Sequence, residues 1–302
     1  MGPPQLLVVV GPTAAGKSEL GVALAGAVGG EVVNADSMQL YRGMDIGTAK
    51  LTDAERRGVP HHVLDIWPVT APASVAEYQR LARGAVDDLL RSGRTPVLVG
   101  GSGLYVRAVL DDLDFPGTDP AVRARLESEL AAEGTAALHG RLRERDPAAA
   151  QAILPGNGRR IVRALEVIEL TGRPFTAALP TYDTGAYDSV QIGVDPPLPE
   201  LDRRIEARVH RMFADGLVEE VRALVRCGLR QGITASRALG YAQVLRLLDG
   251  SLTEEQARAE TVRATRRFAR RQRSWFRRDP RVRWVAEPDP AAALATMQAE
   301  RR

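Results

Sequence analysis

An octapeptide near the start of the chain, Gly11-Pro12-Thr13-Ala14-Ala15-Gly16-Lys17-Ser18, matches the P-loop pattern G-x-x-x-x-G-K-[ST] at every fixed position. It constrains the fold strongly, because such a loop works only between a buried strand and the first turn of a helix. Both flanks comply. Gln5 to Val10 is a short apolar, β-branched run, read as a buried strand. Glu19 to Val28 reads as a helix with Leu20, Ala23, Leu24 and Ala27 on one face. The backbone N–H groups of the loop and the helix N-terminus converge on phosphate oxygens. Lys17 adds a mobile positive charge, and Ser18 offers a hydroxyl to Mg²⁺. An ordinary Gly-rich turn is the plainer alternative, and the strand and helix around the loop disfavour it.

Lysine occurs only at Lys17 and Lys50, leaving 39 arginines among 41 basic residues. Lys17 persists where a compact ammonium on a flexible stem is wanted and a wide planar guanidinium is not. The loop thus indicates a diphosphate or triphosphate ligand without selecting a reaction. With 302 residues, 44% of them hydrophobic, the chain has material for one large domain or two smaller ones. Its single cysteine, Cys227, excludes an intramolecular disulfide framework and a multi-cysteine zinc site. A cytoplasmic location is therefore expected. No apolar run approaches the ~18–20 residues of a membrane span, so no membrane partner is expected. The apolar N-terminus lacks a preceding basic region and already serves as the P-loop strand, which argues against a signal peptide.

Strand-like runs alternate with helical spacing through the first third of the chain. Glu31 to Asp36, Val59 to Ile66 and Thr95 to Gly100 are the strand candidates, and Ala73 to Leu90 is a helix between the last two. This alternation predicts a parallel sheet flanked by helices, an α/β P-loop NTPase-like core. In such sheets ligands lie beyond the C-terminal strand ends, where the P-loop, Asp36 and Gly100-Gly101-Ser102 all fall. From about Pro116 the strand candidates vanish. Segments 119–132, 133–144, 146–153 and 157–171 read as short helices, so residues 116–185 are expected to form a small all-helical insertion. Residues 1–115 and 186–302 would then make the core. Val190 to Asp195 reads as a returning strand, followed by helices at about 199–215, 217–227, 237–248 and 253–278, and a final strand at 281–285. Thr253-Glu254-Glu255-Gln256 has a capping-box pattern.

Several segments carry candidate chemistry. Asp36 can face a phosphate-bound Mg²⁺, act as a base toward a second substrate, or merely cap the next turn. Gly43 to Lys50 is a polar loop placed to lie over a pocket. His61 and His62 point to opposite sides of a strand, which suits structural histidines better than a joint metal site. Gly100 to Tyr105 can bring backbone amides and a hydroxyl to a ligand. Net charge is only +3, yet Arg263, Arg266, Arg267, Arg270, Arg271, Arg273, Arg277 and Arg278 crowd residues 263–278 without one acid. Interleaved with Phe268, Trp275 and Phe276, they form either a solvated helix face or a surface for an anionic partner, nucleic acid first. Arg266, Arg270, Arg273 and Arg277 share one face by their spacing.

Taken together, these segments resemble the tRNA dimethylallyltransferases (tRNA isopentenyltransferases). The resemblance runs in order through Gly11 to Ser18, Asp36-Ser37-Met38-Gln39, Tyr41 to Lys50, His61-His62, Val99 to Tyr105, Arg159 to Glu166, Gly240-Tyr241, and Thr265 to Arg278. The P-loop is common to many folds; the Asp36 to Lys50 and Gly100 to Tyr105 runs are far more specific. Ser102 stands where many members have Thr, which keeps the hydroxyl. Eukaryotic members often carry a C-terminal zinc finger, so a chain with one cysteine resembles the bacterial form.

The resemblance implies transfer of a dimethylallyl group from dimethylallyl diphosphate to the exocyclic N6 amine of adenosine 37, next to the tRNA anticodon. It implies Gly11, Pro12, Thr13, Ala14, Ala15, Gly16, Lys17 and Ser18 at the diphosphate, with Ser18 on Mg²⁺. Asp36 becomes the proton acceptor, and Lys17 and Ser102 steady the leaving group. Asp36, Ser37, Met38, Gln39, Ser102, Arg159, Arg160, Arg163, Gly240 and Tyr241 become tRNA contacts. Thr13 and Arg163 are further contacts in the same channel. The partner is the anticodon stem-loop, its target base flipped out, and a monomer is expected. A P-loop kinase acting on a small molecule or nucleotide explains the P-loop and Asp36 equally well but leaves the Arg run unexplained. An RNA-binding protein with a nucleotide switch is a third possibility.

Overall fold

Six strands build one all-parallel sheet: β1 Leu6–Val10, β2 Glu31–Asn34, β3 His61–His62, β4 Pro96–Gly100, β5 Ser189–Val194 and β6 Val282–Val285. Their spatial order is β3-β2-β4-β1-β5-β6. The structure is a computed structural model describing residues 5–175, 182 and 185–299. Part of the expected helical insertion, 176–181 with 183 and 184, lies outside the described residues.

Parallel strands covered on both faces need continuous apolar runs, and Leu6–Val10 is buried at every position. Helix α1 (Lys17–Val28) covers one face through Leu20, Leu24 and Ala25, which meet Leu7, Val9, Val97, Val99 and Ile192 in one core cluster. Helix α3 (Val75–Arg91) buries Tyr78, Ala82, Val86 and Leu89, a stripe at helical spacing. A short α2 (Asp53–Arg56) precedes β3, and α4 (Gly103–Leu110) follows β4 directly. The expected third strand is real but only two residues long. Beyond it the chain turns: Val63 and Asp65 have positive φ, and the Val63 carbonyl accepts from the Asn34 side chain instead of a ladder neighbour.

The chain divides into two compact units, residues 1–111 with 185–302, and residues 112–184. The second is helical: α5 (Pro120–Arg145), α6 (Pro147–Ala152) and α7 (Gly158–Thr171). Helix α5 is two stretches joined at Gly134, whose φ of 81° interrupts the helical backbone. Asp119, Asp146 and Asn157 cap the three helices, and Leu126, Leu138, Leu142, Ile161 and Leu165 form their core.

The first unit closes with α8 (Leu198–Ala214), α9 (Leu217–Arg226), α10 (Tyr241–Leu248), α11 (Glu254–Phe276) and α12 (Pro290–Ala299). The capping box at Thr253 is formed. Helix α10 begins later than the expected residue 237. A 3₁₀ turn occupies Ala235–Arg237, and the Gln243 side chain accepts the Gly240 N–H at the new start. No helix of the described residues is long and apolar enough to cross a membrane.

Candidate active site

The chain leaves β1 into the P-loop, β2 into Ala35-Asp36, β4 into Gly101-Ser102, and β5 into Asp195. Gly11 has φ of 142°, and a Cβ there would lie 2.4 Å from the Val194 carbonyl oxygen, so only glycine lets the loop pass β5 so closely. Gly16 caps α1 without any side-chain cap. The first-turn amides of α1 therefore stay available at the positive end of the helix dipole, the arrangement that binds phosphate. Lys17 Nζ donates to the Pro12 carbonyl at 2.8 Å, folded back across the loop. Burial lowers its pKa from 10.5 to about 8, opposed by the Asp36 carboxylate and reinforced by the nearby Arg208. Arg208 reaches in from α8, its guanidinium 3.4 Å from the Thr13 hydroxyl. Burial, then Arg211, lowers the pKa of Arg208, and Asp36 again opposes the shift. One carboxylate thus serves as distant counter-ion to two enclosed cations.

Asp36 is partly exposed and uses Oδ1 to accept the Met38 N–H at 3.0 Å. That is the turn-capping role weighed above, and it occupies one oxygen only. Oδ2 has no hydrogen-bond partner among the described residues. The Ser102 hydroxyl accepts the Ser37 N–H at 3.1 Å and donates to Ser37 Oγ at 3.1 Å, tying the strand-end loops together. Gln39 donates to the Thr48 carbonyl at 3.1 Å. It thereby anchors the Gly43 to Lys50 loop, whose Asp45, Ile46, Ala49 and Lys50 line a cleft of about 760 Å³ against the P-loop. Lys50, the second lysine, staples this loop to Asp45 and Asp65 at 2.5 and 2.6 Å.

A narrow passage of about 50 Å³ adjoins the cleft. Lys17, Ser18 and Arg208 line both. Asp36, Thr13 and Gln39 add polar groups to the passage, and Val32, Leu51, Leu64 and Val99 add apolar ones. Cations thus meet a carboxylate across a short, partly apolar gap. The Ser18 hydroxyl makes no hydrogen bond within the described residues. It is an oxygen donor of the kind that suits Mg²⁺, which takes one or two protein oxygens plus phosphates and water. His61 Nδ1 lies 2.9 Å from the Val59 carbonyl and His62 Nε2 2.5 Å from Glu31, so each ring is engaged locally.

A family model described as IPP transferase matches residues 39–279. The chain is 73% identical over 280 residues to a tRNA dimethylallyltransferase of Salinispora arenicola, covering 93% of this chain and 82% of that one. It is 68% identical to a tRNA dimethylallyltransferase of Streptomyces avermitilis over 99% of this chain and 96% of the other. The crystal structure of the full-length tRNA isopentenylpyrophosphate transferase from Bacillus halodurans superposes with a TM-score of 0.71 at 40% identity, over 98% of this chain and 95% of that one. The chain belongs to the tRNA dimethylallyltransferase family. The resemblance and the α/β P-loop fold read from the sequence are both borne out, and the kinase alternative is not favoured.

Within this family frame, the structure brings together the P-loop, Asp36, Ser37, Met38, Gln39 and Ser102. Arg159, Arg160 and Arg163 lie on α7 in the helical unit. Four of the expected contacts have partners within the fold. Tyr241 is fully buried, and its hydroxyl donates to Glu220 at 2.5 Å; Gly240 is buried with it. Arg163 is not a free cation, because the Pro116 and Gly117 carbonyls and Glu166 hold its guanidinium. The Thr13 N–H is already used, donating to Gln272 Oε1 at 2.9 Å. The proposed tRNA face of α11 is ion-paired: Arg266 with Glu206, Arg270 with Asp202, and Arg273 and Arg277 with Asp195.

Three residues escaped the sequence reading. Arg208 is one arginine among several on α8. Glu220 accepts the N–H groups of Asp45, Ile46 and Gly47 at 3.1, 2.7 and 3.2 Å and so holds the covering loop. Gln272 is an uncharged position inside the Arg run. Their partners are remote in sequence, and no local pattern marks them.

Proposed function

We propose that this cleft transfers the dimethylallyl group of dimethylallyl diphosphate to the exocyclic N6 amine of adenosine 37, next to the tRNA anticodon, giving N6-(dimethylallyl)adenosine. The observation that carries the reading is that Lys17, Ser18 and Arg208 line the same narrow passage as Asp36. An aromatic exocyclic amine is a weak nucleophile, and an allylic diphosphate compensates because its carbon gains cationic character as the diphosphate departs. The first-turn amides of α1, Lys17 and Arg208 stabilise the charge growing on the leaving group. Mg²⁺ held by Ser18 would neutralise further charge on the diphosphate. Val32, Leu51, Leu64 and Val99 shelter the five-carbon group from water. The N6–C1 bond forms as the C1–O bond breaks, the electron pair leaves with the diphosphate, and the N6 proton passes to Asp36 Oδ2. Ser102 keeps the Ser37 turn, and with it Asp36, in register. The base enters flipped from its loop. The protein acts as a monomer in the cytoplasm, where tRNA is found.

Asp36→Asn preserves the cap on Met38 and removes the proton acceptor. Turnover should fall by about 10²–10⁴, with tRNA affinity little changed. Single-turnover transfer with saturating donor measures this. Activity within a few-fold of the parent would reduce Asp36 to a turn cap.

A further inference from the structure

Gln272 sits on the buried side of α11, 6% exposed, between exposed Arg271 and ion-paired Arg273. The transfer step described above makes no use of it. Its primary amide nevertheless joins two loops at the passage. Oε1 accepts the Thr13 N–H at 2.9 Å, and Nε2 donates to the Gly101 carbonyl at 2.8 Å. The amide orientation is forced, since one loop presents a donor and the other an acceptor. Thr13 belongs to the loop that cradles the leaving group. Gly101 precedes Ser102, whose hydroxyl holds Ser37 beside Asp36. Gly101 is suited to this contact: a Cβ there would lie 2.4 Å from Gln272 Nε2.

We infer that Gln272 is a positioning residue for the transfer, setting the separation between the P-loop and the loop that carries Ser102 and steadies Asp36. The inference rests on the reading of the cleft given above. Transfer needs the donor carbon and the adenine amine aligned at near-attack distance, and a shift of about 1 Å costs ~10²-fold. Without the Gln272 amide, a half-buried N–H and a buried C=O lose their partners, and the two loops shift to recover them. Each binding half survives, because neither the α1 amides nor Lys17 touches Gln272. The signature is therefore loss of kcat with KM values little changed.

The test is steady-state transfer from dimethylallyl diphosphate to unmodified tRNA, followed from about pH 5.5 to 8.5 for the parent, Gln272→Met and Gln272→Glu. Circular dichroism sets a temperature at which each is folded. Gln272→Met keeps the volume without the polar atoms; it should lower kcat by about 10–100-fold with both KM values within about threefold. Gln272→Glu still accepts from Thr13, but its ionised carboxylate faces the Gly101 carbonyl. Protonated, it donates there as glutamine does. Its kcat relative to the parent should rise as the pH falls through the carboxyl pKa, and Gln272→Met should show no such recovery. Gly101→Ala should mimic the methionine variant from the opposite side. Parental kcat in Gln272→Met would overturn the inference, as would equal, pH-independent losses in both variants that track a lowered Tm. Should the methionine variant fail to fold, the pH response of Gln272→Glu decides. A parent that modifies no tRNA defeats the reading of the cleft itself; a parent that does, matched by Gln272→Met, defeats the inference alone.

Discussion

Along α11 and its C-terminal cap, Arg266, Arg270, Arg273 and Arg277 point one way, and Arg263, Arg267, Arg271 and Arg278 another. The first set reaches acids 60 to 82 residues earlier in the chain, on α8 and at the end of β5. It braces the helix that carries Arg208 and the strand that borders the P-loop. The second set is exposed, with no acid partner among the described residues; Arg271 lies 5.8 Å over the Phe268 ring. Its members, spaced by four, four and seven residues, form one stripe. Residue type is the same on both sides, and what separates them is whether the fold has already spent the charge. The open stripe keeps its charge available to an anionic partner, and the braced side is paired within the fold.

Breaking the brace should have the largest effect. The Asp195 side chain is 6% exposed and holds both Arg273 and Arg277. Asp195→Ala strands the mostly buried Arg273 guanidinium and releases the exposed Arg277 to solvent, and it should cost about 2–4 kcal/mol of stability in urea unfolding; a cost below about 0.5 kcal/mol would mean that the braced side is not a brace. Next come matched double substitutions. Arg263→Gln with Arg267→Gln should weaken tRNA binding and flatten the slope of log affinity against log salt by about 0.7–0.9 per lost contact, with little change in stability. Arg266→Gln with Arg270→Gln should instead lower stability by about 0.5–2 kcal/mol and leave the slope alone. The reverse pattern would exchange the roles of the two faces.

The smallest effect concerns a third kind of cation, enclosed and without a paired acid. Lys17 has its pKa lowered to about 8 by burial. It is charged below that pH and neutral above it in the free protein. Affinity for pyrophosphate should be highest below pH 8 and fall as the pH rises through it, by at most tenfold per unit, because binding must then also take up a proton. Isothermal titration between about pH 7 and 9.5 reads the decline. A flat profile would place the Lys17 ammonium outside the phosphate site.

What was legible in the sequence was local. The P-loop, the alternation of buried strands with amphipathic helices and the capping box at Thr253 each lie within a few residues, and each formed as read. The short β3 was overcalled, since an apolar run does not reveal that Asn34 will capture the Val63 carbonyl. Tyr241 beside Gly240 is expected at the tRNA only through the resemblance, and nothing local shows that Glu220 takes its hydroxyl. Arg208 meets Thr13 across 195 residues and Gln272 meets it across 259. Contacts of that span depend on how helices dock, which no periodicity encodes. The same limit hid the division of α11, because the acids that pair with it lie in a different segment.

The most direct test is mass spectrometry of tRNA nucleosides after the purified protein has been incubated with dimethylallyl diphosphate, Mg²⁺ and unmodified tRNA. The cleft described here predicts N6-(dimethylallyl)adenosine at position 37, absent when Lys17→Ala replaces the parent. Unmodified adenosine throughout, or phosphoryl transfer from ATP to a small acceptor in its place, would contradict it.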